Sequence, residues 1–229
     1  MINIIASFYI SKIPHPNIEH RNQELVDALL KNVQSPFVEK VHLFVDDDVS
    51  EIKLKTQFQS YIDNEKIHII EVGKKPLYSD LFRYAITQLP EKICMVTNSD
   101  IYIHNCEQHL INLFTTPNLL YALTRHEHDM SCKLIDNYQG SHDSFVFKSP
   151  INMNILDKLN FVQHKWGSEN KLIAELYRIG MKIANPCKQF IIVHLHSSEI
   201  REEGRWYESD GHSPDNVEVH FPPIIIPPP

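Results

Sequence analysis

Apolar positions in the first half of the chain fall into short unbroken runs, separated by stretches with helical spacing. Ile2 to Ile10 is apolar and β-branched and predicts a buried strand. Glu19 to Val33 follows, with Leu25, Val26, Leu29 and Leu30 at helical spacing and Pro36 just beyond. Val41 to Val45 predicts a second strand, closed by Asp46, Asp47 and Asp48. Residues 51 to 62 lean towards helix, and Lys66 to Val72 predicts a third strand. Tyr78 to Gln88 carries Leu81, Phe82, Ala85 and Ile86 on one side, and Pro90 stops it. Ile93 to Thr97 is hydrophobic throughout, as a central parallel strand should be.

This alternation predicts an α/β fold, a mostly parallel central sheet with helices on both faces. Ligands of such sheets bind at the carboxyl ends of the strands. That rule singles out Phe8 and Tyr9, Asp46 to Asp48, and Asn98 to Asp100.

The pattern beyond residue 118 is less regular. Leu119 to Thr124, Ser144 to Phe147, Ile183 and Phe190 to Val193 predict strands, and Glu169 to Ile179 a helix ended by Gly180. The tail after Arg201 has neither period and ends in FPPIIIPPP, a polyproline-like segment. With no internal repeat or linker, residues 1–229 read as one domain. A nucleotide-binding half spans about 1–105 and an acceptor half about 106–229.

Composition narrows the function. A chain of 229 residues buries roughly 70% of its unfolded surface, so it needs no disulfide staple. A net charge of −7, with no basic patch, argues against nucleic acid as a partner. The four cysteines form no CxxC pair and read as reduced thiols. Neither a signal peptide nor a membrane span is expected, which suggests the cytoplasm, and a homodimer is compatible with the chain. No glycine precedes Gly73, which counts against P-loop and dinucleotide sites and against nucleotidyltransferases.

Three segments carry candidate chemistry. In VTNSDIYIH an apolar strand ends in Asn98, Ser99 and Asp100, so Asp100 faces the crevice and could ligate Mg²⁺ or Mn²⁺. An Asx turn would look the same. In IIVHLHSSEIR a strand runs into His194 and His196, on one side of the chain, and either could complete the metal site. In HKWGSENKLIAEL, Ser168 is placed to cap a helix and Glu169 lies in its first turn. Glu169 could equally be a general base, with Trp166 as a flat face for a sugar ring. Asp143, in the turn GSHD, is a second candidate acid.

Read in order, NSD, GSHDSFVF, WGSEN and HLHSS resemble the motifs of GT-A glycosyltransferases, particularly small bacterial and large-DNA-virus members such as the N-terminal domain of chlorella-virus glycosyltransferases. The resemblance implies a GT-A type Rossmann-like α/β/α sandwich that binds a nucleoside-diphosphate sugar, expected to be UDP-linked, and transfers the sugar to a glycan or other hydroxyl acceptor. NSD is similar to a degenerate DxD motif, which makes Asp100 a metal ligand alongside His194 or His196, with Mn²⁺ or Mg²⁺ as cofactor. WGSEN is similar to the WGGED acceptor segment, which makes Glu169 or Asp143 the base. The resemblance also implies that Ser7, Phe8 and Tyr9 line the nucleotide base and that Asp46 meets base or ribose. Arg83, Asn98 and Ser99 would also contact the donor, and Trp166, His142 and Arg125 to Asp129 the acceptor. A single displacement would invert the anomeric centre, with retention left open. Two positions depart from the family pattern: Asn98 stands at the first acidic position of DxD, and Asn170 at the second of WGGED.

Overall fold

A computed structural model describes residues 1–106, 110–130, 142–163, 167–198 and 200. The elements run β1 (Ile2–Ser7), α1 (Ile18–Gln34), β2 (Val38–Val45), α2 (Asp48–Asp63), β3 (Ile67–Glu71), α3 (Tyr78–Gln88), β4 (Ile93–Thr97) and β5 (Ile101–Asn105). They continue α4 (Leu110–Thr115), β6 (Leu119–Thr124), β7 (His126–Glu127), β8 (His142–Lys148), a 3-10 turn (Met153–Lys158), α5 (Ser168–Arg178), β9 (Lys182–Ala184) and β10 (Ile191–His194). Trp166, Cys132 and the proline-rich tail lie outside the described residues. None of the described helices is long and apolar enough to cross a membrane.

Seven strands form the central sheet in the order β3-β2-β1-β4-β8-β6-β9, mostly parallel, with β8 antiparallel to both its neighbours. Alternation along each strand feeds two separate cores. Ile4 and Ala6 of β1 and Met95 of β4 pack with Leu25 and Leu29 of α1 and Leu54 and Phe58 of α2. Ile5, Cys94 and Val96 point the other way, onto Leu81, Phe82 and Ala85 of α3 and Leu172, Ile173 and Leu176 of α5. Burial on both faces is why these strands read as continuous apolar runs. Three more strands, β5-β10-β7, form a small second sheet packed on the α1 side through Ile101, Ile103 and Ile192.

Two local expectations differ from the structure. The first strand stops at Ser7, not Ile10. Phe8 N still donates to Phe44 O at 2.9 Å, but Ile10 N donates to Ser50 Oγ and Ser11 N to Asn22 Oδ1, so side chains replace the ladder there. The residue before α5 is Gly167, with φ 91°, a left-handed conformation in which a Cβ would be strained. Ser168 is therefore inside the helix, not its cap, and its Oγ is buried.

Candidate active site

The small sheet gathers the site. Asp100 immediately precedes β5, and β5 pairs antiparallel with β10 so that His194 lies opposite Ile101. Leu195 N donates to Asp100 O at 2.8 Å, which locks that register at its end. The three side chains Asp100, His194 and His196 consequently offer ligand atoms within 4.8 Å of one another. His194 Nε2 lies 3.2 Å and His196 Nδ1 3.5 Å from the same oxygen, Asp100 Oδ2. Both histidines reach Asp100, where the sequence required only one of them to do so. His196 Nε2 is buried with no partner among the described residues.

A further side chain meets that oxygen. Arg21 of α1 is buried and donates from Nη2 to Asp100 Oδ2 at 2.6 Å, and from Nη1 to Leu195 O at 3.2 Å. Nη1 also lies 3.3 Å from Glu24 Oε2. Glu24 in turn accepts from the Oγ atoms of Ser197 at 2.8 Å and Ser198 at 2.7 Å, tying the segment after His196 to α1. The sequence analysis missed this pair. Its signal was present: Arg21 and Glu24 sit on the same stripe of α1 as Leu25, Ala28 and Leu29, where a charge has no business unless it has a buried partner.

The chain of charges continues on the far side of His194. Glu127 of β7 lies opposite His194 in the parallel β7–β10 pair, and Glu127 Oε2 is 3.4 Å from His194 Nδ1. Glu127 Oε1 accepts from Arg125 Nε at 3.2 Å, and Arg125 Nη1 donates to Asp143 Oδ1 at 3.0 Å. Asp143 stands at the start of β8, but β8 runs against β4, so its start meets the carboxyl end of β4. There Asn98 Nδ2 donates to Asp143 Oδ1 at 3.2 Å. This explains the departure at Asn98: an aspartate would set a second negative charge against Asp143, where the amide supplies a donor. Asp143 Oδ2 remains buried without a partner among the described residues.

The electrostatics favour a cation. Among the described residues, Glu24, Asp100, Glu127 and Asp143 pair with the guanidiniums of Arg21 and Arg125, an excess of two acids over strong bases. Burial works against ionising Asp100, but His194, His196 and Arg21 hold it well below the usual carboxylate range. Burial likewise works against a charged His194, yet hydrogen bonds to Asp100 and Glu127 lift it to about 9, so a proton takes up part of the excess. One carboxylate and two imidazoles suit Mn²⁺ better than Mg²⁺, which prefers oxygen. The orphaned Nε2 of His196 and the charge excess fit such an ion.

A second acid sits beside Asp143. Burial, then the charge of Asp143, pushes Glu169 up to about 7, with Arg125 pulling the other way. Tyr78 is fully buried, with its hydroxyl towards Ser168 and Gln163, and its ionisation is opposed first by burial and then by Glu169. His142 is buried, both ring nitrogens without a partner among the described residues, and burial pushes it down to about 4.

At the ends of β1 and β2 a cavity of about 250 Å³ is lined by Ser7, Phe8, Tyr9, Lys12, Asp46 and Gln163, among others. Phe8 is 2% exposed and belongs mainly to the core. Of the three acids after β2, Asp46 and Asp47 both line the cavity, and Asp47 also accepts from Val49 N and Ser50 N as the cap of α2. Ser99 Oγ donates to Ser7 O at 2.6 Å, and Gln163 Nε2 to Thr97 O at 3.2 Å, joining this cavity to the end of β4. Arg83 is exposed on α3 and is not among the residues lining the cavity.

No protein-family model matches the sequence, and no curated protein matches it on sequence alone. Solved structures do resemble it. The mannosyltransferase PcManGT from Pyrobaculum calidifontis, in complex with GDP-Man and Mn²⁺, superimposes with a TM-score of 0.53 at 13% identity over 86% of this chain. S. aureus TarS in complex with UDP gives a TM-score of 0.49, also at 13% identity and 86% coverage. The chain spans 57% of the length of the mannosyltransferase structure and 61% of that of TarS. The likeness to the mannosyltransferase shows that the α/β fold, with its large and mostly parallel central sheet, is one that glycosyltransferases use.

Proposed function

We propose that this chain is a metal-dependent glycosyltransferase, moving a sugar from a UDP- or GDP-linked donor to a hydroxyl of a glycan or similar acceptor. The observation that carries the proposal is the convergence of Asp100, His194 and His196 beside the carboxyl edge of a glycosyltransferase-type sheet. The cavity at Ser7, Tyr9 and Asp46 on the same edge supports a nucleotide there.

Asp100, His194 and His196 would hold the metal, Mn²⁺ by the donor set. When bound, the ion supplies a Lewis acid against the diphosphate leaving group. His194 and His196, with Arg21, keep Asp100 ionised, and the Arg21 hydrogen bond fixes its orientation. Glu169 acts as general base. Held near 7, it is ionised in a useful fraction at neutral pH and basic enough to accept a proton. The acceptor oxygen attacks the anomeric carbon, its proton passes to the Glu169 carboxylate, and the bond from that carbon to the diphosphate oxygen breaks. Asp143, held by Arg125 and Asn98, is the neighbour that, after burial, helps raise Glu169. One displacement of this kind inverts the anomeric centre.

The test is incubation with a panel of UDP- and GDP-sugars and Mn²⁺, measuring release of the nucleoside diphosphate. Release by the wild type, lost in Asp100→Asn and on chelation, is the expected result. Thermal stabilisation by a nucleotide with neither hydrolysis nor transfer would overturn the enzyme and point to a sugar-nucleotide-binding module.

A further inference from the structure

The metal-site reading leaves one acid unused. Glu127 touches neither the cavity at Ser7 nor, directly, Asp100. Its position is nevertheless strictly specified. It belongs to the two-residue strand β7, whose only described pairing is with β10, and that pairing sets Glu127 beside His194. Its two oxygens are divided between two partners: Oε2 at 3.4 Å from His194 Nδ1, and Oε1 at 3.2 Å from Arg125 Nε.

That division has a chemical consequence. An imidazole that ligates a metal through Nε2 must carry its proton on Nδ1. His194 directs Nε2 towards Asp100 and Nδ1 towards Glu127. A carboxylate is acceptor-only, so Glu127 holds a proton on Nδ1, and the proton that His194 gives up to an ion is the one on Nε2 facing Asp100. A carboxylate behind a ligating imidazole also fixes the ring plane and raises its basicity. The same side chain holds Arg125, which in turn holds Asp143.

We propose that Glu127 is the positioning residue of the cation site, setting the tautomer and orientation of His194 and, through Arg125, linking that site to the acid Asp143. The inference rests on the reading of Asp100, His194 and His196 as the metal site. Glutamine at 127 makes a sharp probe. It has nearly the same shape, but it offers one acceptor oxygen and one donor amide where both partners, Arg125 Nε and His194 Nδ1–H, require an acceptor. One of the two bonds must therefore fail.

The experiment titrates Mn²⁺ into wild type and Glu127→Gln, following free ion by electron paramagnetic resonance and binding heat by calorimetry, with a thermal melt of each protein. The expected result is about 10–100-fold weaker Mn²⁺ binding in the variant, with a melting temperature within a few degrees of wild type. Glu127→Asp, which keeps the charge but is too short to serve both partners, is expected to lose affinity as well. Long-range ¹⁵N spectra of the wild-type imidazoles should show the His194 proton on Nδ1 in the Mg²⁺- or Zn²⁺-loaded protein. If wild type binds Mn²⁺ and both variants bind it within twofold, the role of Glu127 is overturned while the metal site stands. If wild type binds no Mn²⁺, the metal-site reading fails and this inference with it.

Discussion

Replacing Arg21 with glutamine removes the cation nearest Asp100. Arg21 and Asp100 have side chains only 6% and 8% exposed and meet at 2.6 Å. Removing one partner of a buried ion pair typically costs about 3–5 kcal/mol, because the remaining charge is stranded. Here His194 and His196 stay beside Asp100, and glutamine retains a donor, so the lower end, about 3 kcal/mol, is expected. For a chain of this size each kcal/mol shifts the melting temperature by roughly 2–4 °C. The variant should therefore melt roughly 6–12 °C below wild type in the absence of metal. Circular dichroism melts with and without Mn²⁺ measure both that shift and its origin. Arg21 and a divalent ion repel one another across Asp100, so the variant should gain more from Mn²⁺ than wild type does. Metal at about 100 times its dissociation constant stabilises by about 2.7 kcal/mol, large enough for the difference in increments to be read. A metal-free variant melting within about 2 °C of wild type would refute the claim that the ion pair supports the fold. Equal Mn²⁺ increments in the two proteins would refute the claim that Arg21 and the ion share Asp100.

Two further outcomes are expected. Glu169 must be ionised to act as base, and it is held at about 7, so kcat/KM should rise with pH through 7 to a plateau. Glu169→Gln should lower kcat by roughly 10²–10⁴-fold and abolish that limb, and an unchanged profile in the variant would remove Glu169 from the role. His42 is buried between Asn3 and the Tyr84 hydroxyl, and burial, with His68 and Lys40 nearby, pushes it from 6.5 down to about 4. The fold thus favours neutral His42, a stabilisation complete above pH 6.5 and lost as pH falls towards 4. Unfolding free energies from urea titrations at pH 7 and 4.5 should differ by less in His42→Gln than in wild type, by on the order of 2–3 kcal/mol. An unchanged difference would show that His42 does not couple folding to acid.

The regular part of the fold was legible because it is local. Helix α3 and strands β4 and β6 have the limits their own sequence predicts, since a 3.6 or continuous apolar pattern is readable within a dozen residues. The two-residue strand β7 left no such pattern, being too short for any period. Neither did the swap of Gly167 for Ser168 at the start of α5, because a serine before a helix satisfies the capping rule whatever φ the residue before it adopts.

The candidate site divides along the same line. Sequence by itself determined that Asp100 ends an apolar strand, that His194 and His196 follow another, and that Glu169 opens a helix, since each depends on neighbours in the chain. It did not determine what those groups meet. Arg21 lies 79 residues from Asp100, and His194 lies 94 from it. Their meeting depends on α1 packing against the small sheet and on the register of β10 between β5 and β7. Asp143 reached the ligand edge only because β8 runs antiparallel to β4, a direction that no run of residues 142–148 encodes. Charge placement of this kind is settled by which strands pair and in which register, and those choices are made by the buried area of the whole domain, so only the tertiary structure could decide them.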